Sequence, residues 1–321
     1  MATIYKKSVD DQQPCARRRY PDPWGTSVGD WFGYFLWRQF PAIFTPVTLT
    51  TRRRTYWVLF GISLCFLALG IASAVALGAK RNVPVFLIEN GIYRVHDFLG
   101  MRISSLTLSI IDALSLSLLA ATAGGYILLT FRKTVSAEVF FFAFWLAAHS
   151  MESIRLLHLL LAINGMQESS LATLDKLFAG ARFLGYMTIF ISGLHAAGMR
   201  SERYFSVVFA CVAIAVGFAS ALPVNTGIWD WNLMFRSGYA LLIRGFSFAA
   251  MVMTVANYLI AVRLKGDKSY VLIAASIAAI TAGAHFAGAD SSPAASLVSI
   301  LVMSGGCAIY INKLHSYYLW Q

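Results

Sequence analysis

An all-α, polytopic membrane bundle of about eight spans, with both termini cytoplasmic, is the architecture that three observations in the sequence predict. Of 321 residues, 58% are hydrophobic and only 13% are charged, where a soluble domain carries about 25% charged residues. The apolar excess is gathered into segments of about 20 residues or more, the length that crosses a hydrocarbon core. The net charge of +11 is spread in small basic clusters beside those segments, which is the positive-inside pattern of a membrane protein and not a nucleic-acid footprint. The same composition excludes disordered, collagen-like and small disulfide-stapled classes.

The chain divides into a basic cytoplasmic N-terminal segment (1–54), the helical bundle (55–314) and a short C-terminal tail (315–321). Residues 1–23 are polar and interrupted by Pro14, Pro21 and Pro23; the stretch Asp30–Phe40 then holds six aromatics in eleven residues. At 100° per residue these rings surround a helix, which suits a short interfacial helix held by the aromatic belt and Arg38; a partner-docking arm is the alternative. No apolar stretch precedes Cys15 and no signal-peptide core occurs before the first span, so that span is expected to remain as an anchor.

The spans run Tyr56–Gly78, Ile103–Phe131, Ser136–Ile163, Leu177–Met199, Tyr204–Leu222, Ser237–Ala261, Tyr270–Ala289 and Ala294–Asn312. Ser291, Ser292 and Pro293 form the stop and restart that separates the last two. Connections on the N-terminal side carry seventeen Lys and Arg, and those on the other side carry six (Lys80, Arg81, Arg94, Arg102, Lys176 and Arg236). That asymmetry, an even span count and the basic Lys313 place both ends in the cytoplasm and the protein in an inner (plasma) membrane. Span count alone is similar to that of several membrane sensory modules and redox-complex anchor subunits, without a shared motif. Cys65, Cys211 and Cys307 fall inside spans and lack metal-ligand spacing, so they are expected as small core residues. Nucleotide-loop, kinase, zinc-protease and haem-attachment patterns are missing, no effector domain is expected after the last span, and enzymatic activity is left open, with a non-enzymatic protein as the leading reading.

Ionisable side chains within lipid are costly, so each calls for a partner or a function. Spans 1, 5 and 8 hold none, and Glu138 and Lys176 read as interfacial. With a 1.5 Å rise per residue, Glu152 falls about 3 Å to the outer side of the midplane, Asp112 about 7 Å, Arg155, Arg182, Arg244 and His285 about 8 Å, and His158 about 12 Å. Five helices thus place charge in one layer. Ser105, Ser109, Asp112 and Ser115 share a face of span 2, and Glu138, Trp145, His149 and Glu152 a face of span 3. Span 7 is rich in Ala and Gly on both sides, as expected of a central helix closely approached by its neighbours.

Two assignments fit this layer. In one, Asp112 and Glu152 neutralise two of the three arginines and fix the register of the bundle. In the other, Arg155, Arg182, Arg244, Asp112, Glu152, His158 and His285 line an outer-half pocket for a small anionic or amphiphilic ligand, with the arginines as contacts. The segment Thr226–Asn232, with Trp229 and Trp231, would be its lid or an interfacial anchor. The expected function is a receptor- or sensor-like subunit signalling through a protein partner at the N-terminal segment. A secondary transporter of an anionic solute is the alternative, against which stands an inner half that is apolar apart from His195. A redox anchor or a scaffold follows behind. No cofactor or metal is expected: haem b would need His158 and His285 as axial pair, and zinc would need His158, His285 and Asp112. His195 is expected as a core histidine bonded to backbone.

Overall fold

The computed structural model describes residues 48–80, 85–89, 93–98, 100–131, 136–199, 203–267, 269–287 and 292–319. The aromatic stretch Asp30–Phe40 lies outside these residues. In chain order the elements are α1 (Leu49–Ala79), α2 (Val85–Glu89), β1 (Val95–Phe98), β2 (Met101–Ser104), α3 (Ser105–Thr130), α4 (Ala137–Ser150), a 3₁₀ turn (Met151–Ser153), α5 (Ile154–Ile163), α6 (Glu168–Ala196), α7 (Tyr204–Ala221), β3 (Val224–Trp229), β4 (Phe235–Ser237), α8 (Ala240–Lys265), α9 (Ser269–Ala287) and α10 (Pro293–Leu319). With α4 to α5 counted as one, eight helices among the described residues are long and apolar enough to cross a membrane. The protein is an all-α polytopic bundle. Two antiparallel hairpins, β1–β2 and β3–β4, cap it; both lie in odd-numbered connections and so on one side, here called the hairpin side.

Local sequence sets the helix ends. Thr48, Ser104 and Ser136 each turn a side-chain oxygen onto the backbone N–H three residues on, at 3.3, 3.1 and 3.2 Å, satisfying donors that the first helical turn leaves open. Gly266 ends α8 with φ +64°, a left-handed conformation that a glycine adopts without a Cβ penalty. Helix bounds differ from expectation most at α6, which begins at Glu168 and not Leu177, and at α10, which runs on through the tail residues 315–319. Residues 49–54 are likewise helical, as the first turns of α1.

The most enclosed helix is α4, where Phe140, Phe141, Phe142 and Trp145 are at most 1% exposed. Span 3, not span 7, is therefore the central one. The Ala/Gly character of α9 does serve close approach: a Cβ on Gly283 would meet the Ser299 carbonyl at 2.9 Å, and one on Gly306 of α10 would meet the Ser276 carbonyl at 3.0 Å.

Span 3 is not one continuous helix. After Ser150 it tightens into the 3₁₀ turn carrying Glu152, then resumes as α5. Backbone groups freed inside a membrane must find protein partners. Ser117 of α3 supplies one, donating to the Ser150 carbonyl at 2.9 Å with its oxygen 2.6 Å from the Ser153 hydroxyl. On the α1 side only a glycine fits, since a Cβ on Gly70 would sit 2.7 Å from Ser153 Oγ.

Gly283→Ala should lower stability by about 1–3 kcal/mol, because the atom it meets is backbone and cannot swing away. Gly61→Ala and Gly305→Ala, with nothing within 4 Å, should be neutral or slightly stabilising through helix propensity. Thermal unfolding in nanodiscs checks the contrast.

Candidate functional site

Glu152 on the 3₁₀ turn is 2% exposed and binds two arginines. Arg182 of α6 grips it in a fork, Nε donating to Oε1 at 2.7 Å and an Nη to Oε2 at 3.2 Å. Arg155, one turn on at the start of α5, brings its Nε to 3.0 Å from Oε2. None of the three guanidinium nitrogens of Arg155 has a hydrogen-bond partner among the described residues, so it meets Glu152 as an ion pair, and its side chain is fully buried. Glu152 is thus its one close counter-charge among the described residues, with Asp112 farther off within electrostatic range.

Charge is distributed differently from the expected pairing. Asp112 does not neutralise an arginine by contact: it accepts a hydrogen bond from Ser296 of α10. Glu152 serves two arginines, and Arg244 makes no side-chain hydrogen bond or ion pair among the described residues. His158 is buried and turns Nδ1 to the Leu233 carbonyl at 3.0 Å, while Nε2 faces Asp175 at 3.4 Å. Its ring is enclosed by Trp229 and Phe235, centroids 5.1 and 5.0 Å away. His158, His285 and Asp112 do not gather to hold zinc; no group of three His, Cys, Asp or Glu does so among the described residues.

Beside this network lies a cavity of about 400 Å³. Its floor is one stripe of α6, Asp175, Phe178, Ala179, Arg182, Phe183 and Tyr186, at the i, i+3, i+4, i+7 spacing of a single helix face. Phe218 and Leu222 of α7 form one wall, Ile243, Arg244, Phe246 and Ser247 of α8 the other, and Ala284 and His285 of α9 the far end. The loop from Asp230 to Phe235 between β3 and β4 covers it, with Trp231 among the lining residues. Of the seven expected site residues, Arg182, Arg244 and His285 line this cavity; Arg155, Asp112, Glu152 and His158 stand behind it.

Comparison with protein-family models and with curated proteins finds no match. The chemistry of the site is therefore that of its own groups. Both acids on the wall are engaged by local donors: Asp175 accepts from the Phe235 N–H at 3.3 Å, and Asp230 from the Trp231 N–H at 2.9 Å. Arg182 is committed to Glu152 and stacks over Phe178 at 4.6 Å. Arg244 and His285 face the cavity without such partners.

Sequence reasoning missed Asp175, Asp230 and Tyr186. Drawing span 4 from Leu177 left Asp175 in a connection, although its spacing of seven from Arg182 puts both on one face. It also missed a second polar centre, and this corrects the expectation of an apolar inner half; Glu138, in the first turn of α4 and so at the helix end where it was expected, is its hub. Glu138 is 1% exposed. Its Oε1 accepts from Lys265 at 3.0 Å, Tyr270 at 2.9 Å and Tyr318 at 3.3 Å. Nearby, Ser192 donates to the Glu138 carbonyl at 3.0 Å and lies 2.8 Å from Tyr258, itself 2.8 Å from Tyr310. Tyrosines gave no signal in a search limited to charge. His195 meets expectation, with Nδ1 3.0 Å from the Met199 carbonyl.

Glu152→Gln should destabilise the fold by about 3–5 kcal/mol, because it leaves two arginines without a close counter-charge. Glu152→Gln/Arg155→Met should recover part of that loss by removing the fully buried cation. Denaturation midpoints of the wild type and the three variants, Arg155→Met alone included, test this as a double-mutant cycle.

Proposed function

We propose that the protein is a receptor- or sensor-like membrane subunit that binds a small amphiphilic anion in the cavity on the hairpin side, which the basic-residue asymmetry makes the outer side of an inner (plasma) membrane. One observation carries the proposal: a guanidinium without a hydrogen-bond or ion-pair partner among the described residues, Arg244, stands on the wall of a cavity that also presents several aromatic rings. A planar fork of that kind suits a carboxylate or phosphate, and Phe178, Phe183, Phe218 and Phe246 suit an apolar body attached to it.

Arg182 links binding to the bundle. It borders the cavity and also holds Glu152 at the break in span 3. An anion that draws Arg182 toward itself weakens the grip on Glu152, and the 3₁₀ turn is the element that moves. Such a change would pass along α4 to its terminal-side end and on to a protein partner at the N-terminal segment.

A secondary transporter is the second reading, and the Glu138 centre favours it, because it puts a buried polar cluster on the same helix as Glu152 toward the opposite face. Radiolabelled hexanoate with purified protein separates the two: saturable binding in nanodiscs without accumulation in proteoliposomes is the receptor's result, and accumulation is the transporter's.

Arg244→Gln should weaken hexanoate binding about 10- to 100-fold, the range of one hydrogen bond to a charged group, with an unchanged unfolding temperature. Equal affinity in wild type and variant would remove the cavity from the account.

A further inference from the structure

We infer that the ligand is a lipid-borne anion, an acyl chain ending in a carboxylate or phosphate, and that it reaches the cavity sideways from the bilayer between α7 and α8. This rests on the amphiphilic-anion site proposed above and concerns where its ligand comes from.

The cavity has two closures of unlike strength. Toward the hairpin side it is lined by the Asp230–Phe235 loop. The covering loop is pinned by Asp175 on the Phe235 N–H and by His158 on the Leu233 carbonyl. It is cross-braced within itself, Asp230 N–H to Met234 carbonyl at 2.8 Å and Leu233 N–H to Asp230 carbonyl at 3.1 Å. Opening this face breaks several buried hydrogen bonds at once, each costly to leave unmade.

Toward the lipid the closure is made of side chains. Helices α7 and α8 each pack on α6 but not along one another. The space between them over α6 is bridged by three stacked rings: Phe183 of α6 lies between Phe218 of α7 at 4.3 Å and Phe246 of α8 at 4.4 Å. No polar bond holds them, and Phe246 is 37% exposed, so a rotamer change opens the gap without disturbing the backbone. The way continues over apolar surface: Ile214, one turn before Phe218, is 50% exposed, and Met253, two turns after Phe246, is 53% exposed. An acyl chain lying there leaves its head group beside Arg244, whose guanidinium, without a partner among the described residues, meets the charge that an apolar chain alone would not require.

The test is a closed gate. In full-length protein with Cys15 and Cys65 replaced by serine, Phe218→Cys and Phe246→Cys are joined by a short reducible bis-thiol linker, in nanodiscs. Pyrene-labelled palmitate is supplied in the bilayer and hexanoate in the buffer. Lateral entry predicts that the linker slows palmitate arrival at least tenfold against the same variant after reduction, and that reductant restores the unlinked rate. Palmitate arriving at the same rate with the linker in place overturns it. A second variant needs no linker: Phe183→Ala removes the middle ring and should speed palmitate arrival several-fold, whereas an unchanged rate contradicts the gate. Failure of the unlinked protein to bind either probe, or binding indifferent to Arg244→Gln, refutes the site itself and is thereby distinguished from failure of the route.

Discussion

A carboxylate removed from water inside a membrane needs positive partners, and Glu152 has two. Arg155 follows it by one turn on the same span, and Arg182 reaches it from α6 with a bidentate grip. Neither arginine has another close counter-charge among the described residues, so the position of one carboxyl group sets how span 3 and α6 lie against each other. Shape reinforces the charge: Gly185 of α6 leaves room for the His149 ring, which a Cβ there would approach to 3.2 Å. The same side chain sits on the 3₁₀ turn, where the helix is least regular and backbone groups depend on Ser117. Stability, register and the means of movement meet at one residue.

Along α4, aromatic packing separates this centre from the one at Glu138. Trp145 lies between His149 and Phe142, at centroid distances of 4.2 and 5.2 Å, and Phe142 packs on Tyr310 at 4.5 Å. A polar group lies toward each end of this stretch of span 3, with rings filling the middle. Only the hairpin-side centre adjoins the cavity with Arg244. The two arginines there differ: Arg244 has no hydrogen-bond or ion-pair partner among the described residues, and Arg182 is held by Glu152 at the break in span 3.

The spans were legible because hydrocarbon imposes length and composition on any helix that crosses it. Depth counting from helical rise also grouped Glu152, Arg155 and Arg182 correctly, since all three are on strongly apolar helices whose midpoints are well defined. What it did not resolve was allocation. Asp112 lies at the right level but is turned to Ser296, and rotation about a helix axis is set by packing that no single span encodes. Asp175 was lost to a boundary: α6 extends nine residues before the apolar run begins, and its polar first turns are covered by a hairpin whose docking is a tertiary event. The 3₁₀ turn has neither Pro nor Gly to mark it. Ser117 and Gly70, far away in sequence, make it possible.

The central claim is that one buried carboxylate holds both arginines and that only Arg182 also answers to the cavity. Arginine side-chain ¹⁵N–¹H spectra of selectively labelled protein test it most directly. The account predicts two Nε–H signals with slow solvent exchange, both lost in Glu152→Gln, of which the Arg182 signal shifts on adding hexanoate more than the Arg155 signal does. Slow-exchanging arginine signals that survive Glu152→Gln, or that ignore a bound anion, would contradict it.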